Sequence, residues 1–497
     1  MRTTLLRGGR IHTPSTSDAT AFAVRDGVIT WVGSAGDAPE ADEIVELNGA
    51  LVTPAFVDAH VHCTQAGLLR TGLDLTACAS LAELLERVAA RAGDGTLIYG
   101  HGWDETAWPE RRPPTRAELD EASGGAAVYL SRIDVHSALV SSALVTPRAR
   151  ESAGWSPTGP VSQAAHHVVR AGFRESITAE ERRAAQREFL THAASKGVAA
   201  VHDCGGPDIS GPDDLTDLLA LSGKSLPLVV CYWGARGVAL PAGARGLAGD
   251  LFVDGALGSR TAALSAPYTD QPDTAGALYL EPERIADHVV SCTEAGIQAG
   301  FHVIGDAGVS AVVAGFGHAA RIMGADALRA CRHRLEHVEM VTEEQAGRLA
   351  EWGVIASVQP QFDAAWGGRS GMYAQRLGPD RGSGLNQYAM LRAAGVTLTL
   401  GSDCPVTPMD PWSTVRAAVR HRTPGFGISL AEAFAAHTRN GWYASGSAAG
   451  GVLEAGAPAT YAVWDRADMP SLEPDADLPV CLRTVLDGRV IYDREAS

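Results

Sequence analysis

Residues 53–62 read T-P-A-F-V-D-A-H-V-H, an apolar run that closes on two histidines separated by one residue. Positions i and i+2 of a strand point to the same side, so His60 and His62 face one way and can share an ion. From here to about residue 445, short apolar runs alternate with longer amphipathic patterns. The runs include V-A-A-V-H-D at 198–203, P-L-V-V-C-Y-W at 227–233, I-Q-A-G-F-H-V-I at 297–304, V-I-A-S-V at 354–358 and V-T-L-T-L-G-S-D at 396–403. L-A-E-L-L-E-R-V-A-A-R (81–91) and A-E-E-R-R-A-A-Q-R-E-F-L (179–190) carry the helical period. Such alternation argues for a parallel α/β architecture. No Gly-rich dinucleotide fingerprint follows an early strand, which leaves a (β/α)8 TIM-like barrel as the better fit. The strand candidates outnumber eight, so part of residues 97–190 is expected to be an insertion. The second barrel strand has no single candidate run.

The two ends of the chain read alike. A-F-A-V-R-D-G-V-I-T-W-V-G at 21–33 and V-C-L-R-T-V-L-D-G-R-V-I-Y-D at 480–493 each place a D-G pair between apolar runs, a strong hairpin signal. Residues 1–50 and 448–497 are therefore expected to form one small β-sandwich domain beside a barrel spanning 51–447.

Composition bounds the function. At 497 residues, 45% apolar and 20% charged, the chain is long enough for more than one folding unit and too apolar for disorder. The 41 basic residues against 58 acidic ones leave a net charge of −17 without a long basic run, so nucleic acid is not an expected partner. The eight cysteines are scattered, with no C-x-x-C pair, as free thiols in a reducing compartment are. The first residues lack the apolar stretch of a secretory signal, and no run is long enough to span a membrane. A cytoplasmic protein with a small-molecule substrate and no membrane partner is expected, and self-association stays open.

In a barrel of this type, catalytic groups gather at the carboxyl ends of the strands. His60, His62, His302, His337 and Asp403 all fall at the ends of apolar runs. Four imidazoles and a carboxylate suit zinc or a similar divalent ion. A lone histidine on an apolar run is more often a packed core residue, so the weight rests on the H-x-H pair and on the repeated position.

These blocks resemble the amidohydrolase superfamily, in the amidohydrolase family 3 branch that includes N-substituted formamide deformylases. Beside residues 54–62, the similar blocks are G-H-G-W-D-E (100–105), D-G-A-L-G-S-R-T-A-A-L (254–264), F-H-V-I-G-D-A (301–307), R-L-E-H (334–337), G-S-D-C-P-V (401–406) and G-V-L-E-A-G (451–456), in order. The resemblance implies a metal-dependent hydrolase that cleaves an amide, formamide or cyclic amide C–N bond with metal-activated water. It implies His60 and His62 as paired ligands, His302 and His337 as ligands on the fifth and sixth strands, and Asp403 as both ligand and proton acceptor.

One position departs from the pattern. Where many relatives carry a carboxylated lysine bridging two metals, this chain has Asp250. Lysine occurs only at Lys196 and Lys224, both before strands and so away from the site. The shorter arm of Asp250 reaches two ions only if its strand bulges inward. One ion, zinc foremost, is therefore expected on His60, His62, Asp403 and in addition His302, with Asp250 a doubtful ligand or a support. His337 is then left to hydrogen-bond the attacking water or the substrate carbonyl.

Substrate contacts are expected from Arg260, His136, His101, Trp103 and Asp104, with Gln359 and Gln361 at the mouth. Arg260 can equally fix a loop through an ion pair, His136 can be a buried hydrogen-bonding residue, and Trp103 can pack under a loop. Two other classes stay in view. One is a non-catalytic binder on the same fold. The other is a zinc peptidase, resting on H-R-L-E-H at 333–337, a string that works only on a helix and here runs into a strand.

Overall fold

The computed structural model describes residues 2–93, 97–447 and 449–495. Eight parallel strands form the central sheet: β1 (Phe56–Val61), β2 (Val198–Gly205), β3 (Leu228–Trp233), β4 (Ala244–Leu247), β5 (Gln298–Val303), β6 (Arg334–His337), β7 (Ile355–Val358) and β8 (Thr397–Leu400). They lie in chain order from β1 to β8, as right-handed crossovers require. The sheet closes where Val61 pairs with Cys404. At this seam the Asp403 N–H donates to the His60 carbonyl (2.8 Å) and the His62 N–H to the Cys404 carbonyl (2.9 Å). Gly401 is required here, because a Cβ would lie 2.6 Å from the His60 nitrogen. The result is a (β/α)8 barrel, and its second strand is 198–205.

The insertion precedes that strand and begins earlier than residue 97. It carries its own five-stranded sheet, in the order Val161–Ser162, Ser137–Val140, Val128–Arg132, Ile98–Trp103, Leu73–Asp74. Helix Leu81–Arg91 belongs to it: Leu84 and Val88 pack with Ile98 and Leu130, away from the barrel. The sequence pattern counts that helix among the barrel's own, because amphipathicity shows which face is buried but not against what; here it packs on the insertion instead.

Strands from both ends build two further sheets. Thr3–Arg7, Ala21–Arg25, Val28–Gly33 and Glu43–Glu46 form one. Arg10–Ile11, Leu51–Pro54, Tyr461–Trp464, Cys481–Leu486 and Arg489–Asp493 form the other. A shared core that includes Leu6, Phe22, Val52, Tyr461 and Val485 joins them face to face. Both D-G pairs are hairpin turns with positive φ at each residue, 52° and 78° at Asp26–Gly27 and 49° and 77° at Asp487–Gly488. The barrel meets these sheets through Phe56, Trp412 and Trp464, whose rings stand 5.1–5.8 Å apart. Among the described residues no helix is long and apolar enough to cross a membrane.

Candidate metal centre and cavity

His60, His62, Asp250, His302, His337 and Asp403 converge at the carboxyl end of the barrel, all buried. His60 Nε2 lies 3.5 Å from Asp250 Oδ1 and 3.5 Å from Asp403 Oδ1. His62 Nε2 lies 3.3 Å from Asp250 Oδ2 and 3.2 Å from Asp403 Oδ1. A tetrahedral ion with bonds of about 2.0–2.1 Å spaces its ligand atoms by about 3.3–3.4 Å. The four separations match that edge. His60 Nε2, Asp250 Oδ1, His302 Nδ1 and Asp403 Oδ1 are buried polar atoms without a hydrogen-bond partner. Buried polar atoms are ordinarily paired, so a cluster of orphans facing one another fits a cation.

Neighbouring groups set each ring. Glu336 on β6 receives the His60 Nδ1–H (2.8 Å), which leaves the Nε2 lone pair for an ion. Arg334, two residues earlier on the same face, grips Glu336 through Nε (2.6 Å) and Nη2 (2.8 Å) and also donates to the Ala59 carbonyl. Gln359 Nε2 donates to the Ser357 carbonyl (3.3 Å), turning its Oε1 toward His337 Nδ1 (2.7 Å). This network assigns the hydrogen to His337 Nδ1 and leaves Nε2 bare. His302 donates through Nε2 to the Gly255 carbonyl (3.3 Å), and its Nδ1 lies 3.7 Å from Asp250 Oδ1. His337 and Asp403 both adopt positive φ, 71° and 54°, strained backbone of the kind that clusters at functional sites.

The charges are set by burial and by one another. Burial works against an imidazolium at His60, but Cys204, Asp403 and Asp250 outweigh it and push the pKa well up. Burial also works against the Asp250 carboxylate, yet His60, His302 and His62 hold it well below the usual range. His337 is lowered to about 3 by burial and by His302 beside it. The bare Nε2 of a neutral His337 accepts hydrogen bonds or ligates an ion.

The remaining candidates divide. His136 lies 4.9 Å, ring to ring, from His302 and lines the hollow above the cluster. His101 donates through Nε2 to the Pro405 carbonyl (3.0 Å) and lines a larger cavity beside His62. Trp103, Asp104 and Arg260 do not line these spaces. Trp103 packs inside the insertion, its indole N–H on the Leu130 carbonyl. Asp104 caps the turn at Thr106 and pairs with Arg132, and Arg260 forms a two-pronged ion pair with Asp270. Gln361 donates to the Pro408 carbonyl. H-R-L-E-H ends in strand β6, not a helix, so the peptidase geometry is absent; His333 is occupied by the Ala299 N–H and Thr293. Lys196 pairs with Asp410 (3.5 Å).

The sequence reading missed four carboxylates that hold the site. Glu336 sits inside the R-L-E-H block. Asp58 receives the Ser402 N–H (2.9 Å), and burial raises its pKa to about 6. Asp254 receives the N–H groups of Ala263, Ile304 and Gly305, tying the end of β5 to the D-G-A-L-G-S-R loop. Asp203 receives the Cys63 N–H (2.8 Å). The larger cavity, about 290 Å³, lies between the insertion and the barrel mouth, with apolar walls from Leu68, Tyr99, Tyr129 and Phe173.

A family model described as the amidohydrolase family matches residues 43–492. The chain belongs to the amidohydrolase family. YtcJ of Bacillus subtilis is 27% identical over 98% of this chain and 99% of its own length. The N-substituted formamide deformylase of Arthrobacter pascens is 25% identical over 97% of this chain and 96% of its own. Among solved structures, an uncharacterized metal-dependent hydrolase from Pyrococcus furiosus superposes with a TM-score of 0.71 and 28% identity, covering 93% of this chain and 99% of that one. The chain's family and the buried ligand clusters agree with a hydrolase that uses a metal.

Proposed function

We propose that the chain hydrolyses amide-type C–N bonds, formamides and cyclic amides included, with one divalent ion, zinc foremost. His60, His62, Asp403 and Asp250 would hold it, with His302 beside them. The ligand separations of 3.2–3.5 Å, with His60 Nε2, Asp250 Oδ1 and Asp403 Oδ1 buried and unpartnered, carry this reading. Asp250, His302 and His337 also lie within reach of one another, with Asp250 Oδ1 and His302 Nδ1 3.7 Å apart, and His337 clusters as well with His60 and Asp403. A bound divalent ion lowers the pKa of water and polarises a carbonyl. Asp403 takes the proton of the attacking water and delivers it to the leaving nitrogen. The C–O bond forms and the C–N bond breaks, giving an acid and an amine, which stay joined in one molecule when the amide is cyclic. His337, held by Gln359, accepts from the water through Nε2.

Elemental analysis of protein purified without added metal, together with a panel of formamides, amides, cyclic ureas and N-acyl amino acids, tests this. About one ion per chain and turnover of at least one class is the expected result. Retained metal without turnover of any class would point to a binding protein on the same fold. A reproducible ratio near two overturns the single-ion arrangement.

A further inference from the structure

Arg170 is buried without an acid. It belongs to helix Gln163–Glu175 of the insertion and is 4% exposed. Its Nη2 donates to His167 Nδ1 (3.0 Å), and its Nε has no partner. Among the described residues no carboxylate lies within 4.0 Å of it. Of the other buried arginines, Arg132 is matched by Asp104, Glu105 and Asp134, Arg334 by Glu336 and Arg376 by Glu105 and Asp270, while Arg116 has no acid but spends its guanidinium on four backbone carbonyls. A guanidinium with no acid in contact costs stability, and burial pushes its pKa down against the more distant pull of Tyr129, Asp208 and Asp250.

The position is equally informative. Arg170 lines the larger cavity together with His62, and it lines a smaller hollow together with His62, His136 and Asp250. Asp250 is the one acid among the residues lining that hollow, and it belongs to the metal cluster; the larger cavity also carries Glu175, Asp203, Asp213 and Asp214, none of them in contact with Arg170. Phe252 links the two places, with its ring 4.9 Å from His302 and 5.6 Å from His167. His136, His166 and His167 around the guanidinium are held neutral by burial, helped in all three by Arg170 and in His136 first by His302. Arg174, one turn on, is occupied by the Ser210 and Pro207 carbonyls.

We infer that Arg170 receives a carboxylate of the substrate, so that the amides this site takes bear a carboxylate on a group flanking the scissile bond. The inference rests on the hydrolase reading above. N-acyl amino acids with an apolar side chain are the simplest members of the class, because the apolar walls beside Arg170 accommodate the side chain. A guanidinium and a carboxylate form charge-assisted, two-pronged hydrogen bonds, which a neutral amide does not match.

Calorimetric binding of N-acetyl-phenylalanine and of its primary carboxamide tests this on the metal-loaded protein. The carboxylate is expected to bind at least about tenfold more tightly, since hydrogen bonds to charged groups contribute about 10- to 100-fold. Arg170→Met should bring the ratio toward one, and Arg170→Lys should keep part of it. Equal binding of the two probes, binding of neither, or a ratio that survives Arg170→Met overturns the inference. The wild-type ratio decides even where a variant fails to fold. Hydrolysis of neutral amides with no carboxylate preference sinks this inference and spares the hydrolase reading. A carboxylate preference without hydrolysis of any compound does the reverse.

Discussion

Glu336→Gln forces a choice that the wild-type carboxylate avoids. One oxygen of Glu336 receives the His60 Nδ1–H, and both oxygens face Arg334. A glutamine has one oxygen and one NH2. Turned toward His60, the oxygen leaves the NH2 against the guanidinium; turned toward Arg334, it presents NH2 to His60 Nδ1 and moves the ring hydrogen to Nε2, the atom that faces Asp250 and Asp403. Glu336 and Arg334 are both 0% exposed, and breaking such a pair by removing one partner costs about 3–5 kcal/mol. Loss of a group that orients a ligand lowers metal affinity by about 10- to 100-fold. Scanning calorimetry of the metal-free protein and a competitive metal titration read the two effects separately. Arg334→Met in the same chain removes the competitor, so the glutamine oxygen can turn to His60 and metal affinity should recover in the double variant. An affinity within twofold of wild type in Glu336→Gln, or no recovery in the double variant, would refute this account of how His60 is set.

Three other outcomes follow from the same geometry. Asp403→Asn should lower kcat by about 100- to 10,000-fold, the usual share of general acid–base catalysis, with the circular dichroism unchanged and metal content measured in the same sample; full activity removes Asp403 from the mechanism. Gly401→Ala should weaken metal binding, because its Cβ would lie 2.6 Å from the His60 nitrogen and push the seam apart, and unchanged affinity counts against a tight seam. Asp214 is raised from 3.8 to about 7 by burial and by Asp203 nearby. The stability tied to that raised value is present below pH 3.8 and lost as the pH climbs to about 7. Asp214→Asn should therefore leave urea stability at pH 4 nearly unchanged and increase it at pH 8 by at most about 4 kcal/mol; the same change at both pH values contradicts it.

What the sequence made legible was local. The strand period and the H-x-H spacing put His60 and His62 on one side, and the positions of His302, His337 and Asp403 at run ends placed them at one rim. Glu336 was hidden because its partner lies 276 residues away, across the barrel. Arg170 was hidden because a helix pattern shows burial without showing what the buried face meets. Trp103, Asp104 and Arg260 misled for the opposite reason: they sit in blocks near the rim, but turn toward the insertion core, a capped turn and Asp270.

Asp250 shows how a backbone change offsets a shorter side chain. β4 ends at Leu247, and the chain turns at Gly249 (φ 79°), where the Leu251 N–H folds back onto the Gly249 carbonyl (2.8 Å). A Cβ at Gly249 would lie 3.0 Å from Cys204 Cβ, so only glycine fits both the angle and the space. The strand resumes contact when the His302 N–H donates to the Leu251 carbonyl and the Val253 N–H to the His302 carbonyl. Between these two points Asp250 is carried inward, far enough for Oδ1 to reach 3.5 Å from His60 and Oδ2 to reach 3.3 Å from His62. A bulge of this kind was the condition for the short arm to reach toward two positions. Both oxygens end nearer the His60–His62 pair than His302 is to Oδ1, at 3.7 Å, so the negative charge is concentrated on the tighter of the two positions. Asp250 thus stands between two ligand clusters, with His60 and His62 on one side and His302 and His337 on the other, and its closer contacts lie on the His60–His62 side.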